Sequence, residues 1–147
     1  MKPEEVIRNS ELIIKIYGRW PSFHDFEITK VIFERNIDTA EVGPFISIFI
    51  HMWEVTGKSP DGKRFIFGKH NIAEIRCNSV SEYEFKWFNS QNVIDDIDMR
   101  EEERGKNKVF SIHFPNIHGA DLLIKCSSIE VVSVKPDIPK HSVYSEK

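Results

Sequence analysis

The sequence predicts a mainly β, α+β fold: an antiparallel sheet, curled or folded into two layers, with one helix at the amino terminus. Three observations carry that expectation. Runs rich in β-branched and aromatic residues succeed one another from Phe26 to Val134. The breaks between them are short and polar or contain glycine, too short for the helical crossovers of βαβ units. Only one stretch, near the start, shows helical periodicity. At 147 residues the chain fits a single domain, 1–147, able to bury its own core. Its 40% apolar, 29% charged and 12% aromatic content is that of an ordinary globular protein.

The helix comes first. In "SELIIKIYG", Leu12, Ile13, Ile16 and Tyr17 share one helical face, with Ser10 available as a cap and Gly18 as a stop. Pro21 then blocks continuation and biases Trp20 towards an extended backbone, so "GRWPSFHDFEI" is a connector. From Phe26 the period changes to two. Phe26, Ile28 and Ile32 fall on one face and Glu27, Thr29, Val31 and Phe33 on the other, a strand whose second half is expected to be largely buried. "PFISIFIHMWEV", Pro44 to Val55, reads as a second strand, and "SPDGK" supplies the Pro, Asp and Gly of a hairpin turn. The further candidates are "KRFIFG", "NIAEIRC", "SEYEFKWF", "NVIDDIDM", "KVFSIHF" and "DLLIKCSSIEVVSV", about eight strands in all. The tail from about 137, with Pro139 and little apolar content, is expected to be peripheral.

A net charge of −3 implies no bulk electrostatic partner and no nucleic-acid-binding surface. The charge is unevenly spread, however. Asp95, Asp96, Asp98, Glu101, Glu102 and Glu103 with Arg100 make a window of −5, leaving +2 for the rest. Such a run is either a solvated strand end and loop or a face for a basic partner, where complementary charge speeds association. It lacks the glycine and ligand spacing of an EF-hand. The opening "MKPEEVIRNS" has no apolar run of signal-peptide length and no segment approaches a membrane span, which points to the cytoplasm and away from membranes. Cys77 and Cys126 follow no CxxC pattern and read as small buried hydrophobes.

The one pair that invites a chemical reading is His24 and Asp25. As metal ligands or an acid–base pair they would need further ligands, and His51, His70, His113, His118 and His141 stand singly in sequence. As structure, Ser22, His24 and Asp25 supply side-chain hydrogen bonds to an unpaired connector, while Trp20, Phe23 and Phe26 anchor it in the core. The structural reading is preferred for the whole motif Trp20, Pro21, Ser22, Phe23, His24 and Asp25. No GxSxG, GxGxxG or GxxxxGK[ST] occurs and neither cysteine has a protease signature, so no catalytic, cofactor or metal residue is nominated.

The helix ending in "YGRW" and followed by "PSFHD" resembles the start of the immunity protein 50 family. "FNSQNVI", Phe88 to Ile94, and "CSSIEVVSVKP", Cys126 to Pro136, extend the resemblance along most of the chain; Phe26 stands where a small residue is expected. What the resemblance implies is a non-enzymatic protein that neutralises a cognate bacterial toxin domain by direct binding in the producing cell, without a cofactor. The six acids from Asp95 to Glu103 are the expected partner-binding residues. Two alternatives stay open: a small metal-dependent hydrolase using His24 and Asp25 with a distant His51 or His113, and a ligand-binding β domain.

Overall fold

Residues 1–36, 43–142 and 144 are described by the computed structural model. Local sequence sets where each element begins and ends. A short helix α1, Pro3–Val6, opens on the proline, whose missing N–H costs nothing in a first turn. Helix α2, Glu11–Tyr17, ends where Gly18 takes φ 77° and donates its N–H to the Ile14 carbonyl. Ser10 does not cap by its side chain as expected. Its backbone is already helical, and its hydroxyl donates to the Glu4 carbonyl at 2.8 Å, joining α1 to α2. Tyr17 fastens the other end: its hydroxyl donates to the Lys69 carbonyl (2.6 Å) and accepts from Asn71 Nδ2 (3.0 Å), and burial pushes the phenol up to about 12.

Among the described residues ten strands follow: β1 Glu27–Glu34, β2 Phe45–Lys58, β3 Phe65–Asn78, β4 Glu82–Lys86, β5 Asn92–Ile94, β6 Asp98–Arg104, β7 Asn107–Phe114, β8 Asn116–His118, β9 Asp121–Cys126 and β10 Ser128–Pro136. They form two antiparallel sheets, one of six strands in the order β10-β3-β2-β1-β5-β8 and one of four in the order β4-β9-β7-β6. The mainly β, two-layered expectation holds. One core draws on both sheets, with Ile28, Ile48, Ile50 and Ile75 from the larger and Ile112, Phe114, Leu122 and Ile124 from the smaller.

Three strand boundaries differ from the sequence reading, each for a local reason. "KRFIFG" and "NIAEIRC" are one strand, β3, because Gly68 and Lys69 (φ 49°) fall at a register shift against β2 between Met52 and Glu54 rather than in a loop. "NVIDDIDM" is two strands in different sheets. "DLLIKCSSIEVVSV" is also two: β9 belongs to the four-stranded sheet and β10 to the six-stranded one, with only Ser127 between them. The inward residues Leu122, Ile124 and Cys126 keep one phase and Ile129 and Val131 the other, so the slip of one position marks the change of sheet.

The second half of β1 is not buried as expected. A register irregularity between Ile28 and Lys30 changes the alternation, leaving Ile32 half-buried and Phe33 exposed. Phe26, by contrast, sits fully in the core, in a row of rings from Trp20 through Phe23 and Phe26 to Trp53 with centroids 5.2, 5.3 and 5.7 Å apart. Cys77 on β3 and Cys126 on β9 are buried free thiols, one from each sheet. The neighbouring Cys126 thiol, then burial, pushes the Cys77 thiol well up.

Candidate partner-binding surface

His24 and Asp25 lie on the surface, at the end of the connector. Asp25 takes φ 71°, a left-handed conformation that a short polar side chain tolerates. The Ser22 hydroxyl accepts the His24 N–H at 3.3 Å, as a turn serine should. The His24 ring does not serve the connector backbone, though. Its Nδ1 meets Asp95 Oδ1 at 2.8 Å and its Nε2 lies 3.5 Å from Asp25, with 55% of the side chain exposed. The hydrogen bond that the His24 ring donates to Asp95 holds His24 above its ordinary 6.5, helped by the charges of Asp25, Asp95 and Asp96; the same bond holds Asp95 down. Because both partners face water, their contribution to stability is that of a surface pair.

The sign of the pH dependence follows from that direction. A histidine raised by its partner favours the tethered form fully below 6.5 and loses it as pH rises through the raised value. We expect an NMR titration to place the His24 midpoint above 6.5 and to bring it back down in Asp95→Asn. An unchanged midpoint in that variant would remove Asp95 as the cause.

The six acids of the charged window fall in three places. Asp95 and Asp96 occupy the link between β5 and β6, where Asp96 Oδ1 accepts the Phe23 N–H (3.3 Å) and the Ile97 N–H (3.0 Å). They share this corner with Asp25 and His24. Asp98 and Glu102 stand on the outer face of the four-stranded sheet, with Arg100 3.4 Å from Asp98. Glu101 points the other way and pairs with Lys108 at 3.1 Å; Glu103 follows by alternation. On the outer face, Glu82 and Glu102 share Lys125 and Arg104 at 3.7 to 3.9 Å, around a shallow concavity of about 290 Å³ floored by Ser111, His113 and Leu123.

An exposed aromatic strip was not legible as a surface in the sequence. Tyr83 and the half-buried Phe85 on β4, Phe33 at the end of β1 and Phe88 just beyond β4 lie together, with Phe33 to Tyr83 at 5.1 Å, Phe33 to Phe85 at 6.0 Å and Phe85 to Phe88 at 5.7 Å. Trp87 is 64% exposed, with Lys86 over its ring. β4 is an edge strand, so it pairs on one side only. Alternating aromatics in "SEYEFKWF" carried the signal; what hid it is that a strand pattern does not say whether its apolar face is covered. Grouped exposed aromatics of this kind are typical of protein–protein contact.

The remaining polar group lies inside. His51 is fully buried; its Nδ1 meets Glu27 Oε1 and its Nε2 meets His70 Nδ1, both at 2.9 Å. The Ser142 hydroxyl donates to Glu27 and lies 3.4 Å from the same His51 Nδ1. Serine and carboxylate therefore crowd one nitrogen, whereas a catalytic triad needs them on opposite nitrogens. His24, His51 and His113, the last bonded to Asp121, sit in three separate environments. Among the described residues, neither His51 nor His113 is brought to His24 and Asp25. Among the described residues no group of three or more His, Cys, Asp or Glu could hold a metal.

A family model described as Immunity protein 50 matches residues 9–137, nearly the whole chain. The chain belongs to the immunity protein 50 family. No curated protein and no solved structure matches it. The match runs from Asn9, two residues before α2, to the residue after β10, so the connector, the acidic corner and the aromatic strip all fall within the immunity protein 50 region, whereas Ser142 and Tyr144 fall outside it.

Proposed function

We propose that this protein neutralises a cognate toxin domain of a bacterial polymorphic toxin system, by direct binding in the cytoplasm of the producing cell and without chemistry of its own. Family membership supports the reading most. The surface agrees with it: an exposed aromatic strip and a corner of Asp25, Asp95 and Asp96 offer contact area and a negative field. Toxins that attack nucleic acids bear basic clefts, against which such a corner is complementary. The direct test is co-expression with the toxin domain encoded beside this gene. Cells should survive, and gel filtration should show a complex; death at the unprotected rate with no complex would end the proposal.

The electrostatic part has its own test. Reversing Asp95, Asp96 and Asp98 to lysine should slow association about tenfold or more at low salt, with a smaller change in dissociation. An association rate indifferent to both the reversal and the salt concentration would assign binding to the rest of the surface.

A further inference from the structure

Strand β4 is open on the side away from β9. Among the described strands it pairs with β9 alone, so the backbone N–H and C=O groups along its other side have no strand to meet. Such an edge accepts a further strand, and the side chains on its two faces decide which one. Those faces differ. Glu82, Glu84 and Lys86 stand on the outer face of the four-stranded sheet, and Tyr83 and Phe85 on the opposite face, where Phe33 lies 5.1 and 6.0 Å from them.

The three charges are not equally provided for. Glu82 lies 3.7 Å from both Lys125 and Arg104. Glu84 has no hydrogen bond or ion pair among the described residues, and Lys86 has no ion pair, its ammonium resting 5.7 Å from the centre of the exposed Trp87 ring. Both are exposed. An acid and a base two positions apart on an open edge, each without an opposite charge, are complementary to the same pair on a copy of the strand turned end for end.

We propose that the protein pairs with a second copy of itself, β4 against β4, about a two-fold axis at Phe85. In that antiparallel register Glu84 of each copy lies opposite Lys86 of the other, Phe85 lies opposite its own copy, and Tyr83 lies opposite Trp87, where the strand ends. Opposed residues point to the same face, so two ion pairs form on the outer side and the phenylalanines meet on the inner one. No like charges are opposed. The contact is isologous and joins two four-stranded sheets into one of eight.

Neighbouring registers lose this match. An axis at Glu84 sets that carboxylate against its own copy, and an axis at Tyr83 sets Glu82 against Glu84 twice. An axis midway between two residues turns the ring face of one copy to the charged face of the other. The far edge of the same sheet, β6, is guarded by charge: six of its seven residues are charged, and the axis that best matches them, at Glu101, sets Glu101 against itself. Five paired residues a side make a small contact, so the dimer is weak and forms with concentration. It needs only this chain and does not rest on the toxin-binding reading.

Sedimentation velocity of the purified chain should show single chains at about 5 µM and a rising share of pairs by about 500 µM. Glu84→Lys and Lys86→Glu each oppose like charges across the axis, and each should raise the dissociation constant at least about tenfold. The double variant, Glu84→Lys with Lys86→Glu, restores both ion pairs in reverse and should dimerise as the wild type does. Hydrogen exchange locates the contact: β4 amides should slow with concentration in the wild type and the double variant, and not in the single ones. Single chains throughout, a dimer indifferent to both single reversals, or a double variant no tighter than the single ones would overturn the pairing.

Discussion

Replacing Phe23 by alanine is expected to cost about 3 to 5 kcal/mol, the largest loss available from one side chain in the connector. Phe23 is fully buried and sits second in the ring row, 5.2 Å from Trp20 and 5.3 Å from Phe26. Its backbone N–H is held by Asp96, so the backbone cannot move in to close the cavity without breaking that bond. For a chain of this size such a loss lowers the melting temperature by roughly 10 °C. His24→Ala, one position on, removes only a surface pair and should stay within about 1 kcal/mol. The contrast is the test: equal melting of the two variants would show that the connector is not anchored through its rings.

Asn92→Ala should be the second large effect, at roughly 3 kcal/mol or more. Asn92 is buried and uses both ends of its amide. Oδ1 accepts the Asn89 N–H (2.9 Å) and the Ala120 N–H (3.0 Å); Nδ2 donates to the Ile28 carbonyl (3.2 Å) and the Asn89 carbonyl (2.8 Å). One side chain therefore ties β1, the turn before β5 and the turn before β9. Alanine leaves four backbone groups without that partner. Asn92→Asp keeps the oxygen that accepts the two N–H groups but points a carboxylate at two carbonyls, and should be destabilised on a similar scale. Gly119 shares the constraint. It takes φ 78°, and an added Cβ would stand 2.7 Å from Asn92 Oδ1 and 2.8 Å from the Gln91 carbonyl. Urea unfolding of Asn92→Ala within about 0.5 kcal/mol of the parent would show that water replaces the knot.

The fold class was legible because alternation and turn chemistry act locally. Gly18 ends α2 by its own conformation, and "SPDGK" makes the β2–β3 hairpin with residues that need no distant partner. Pairing between sheets was not legible. Nothing near Ser127 except a one-position slip in the apolar pattern says that β9 and β10 part company there. The acidic window was visible as composition but not as geometry, because strand alternation sends Glu101 and Glu102 to opposite faces. "FNSQNVI" could be seen as a resemblance to immunity protein 50, yet the role of Asn92 depends on Ile28 and Ala120, at least 28 positions away. His51 and His70 meet only because β2 and β3 pair, which no spacing rule along the chain reveals.

Strand β10 carries a consequence for the order of events. It pairs with β3 along its length, and its Ile129 and Val131 also bond with Arg8 ahead of α2. Of the described strands, the one synthesised latest is therefore the one that both the middle and the beginning of the chain await. Until it emerges, β3 presents an open edge and α2 lacks the strand beside it, so the nascent protein cannot complete its larger sheet piecemeal. Such long sequence separations slow closure relative to helical proteins of the same size.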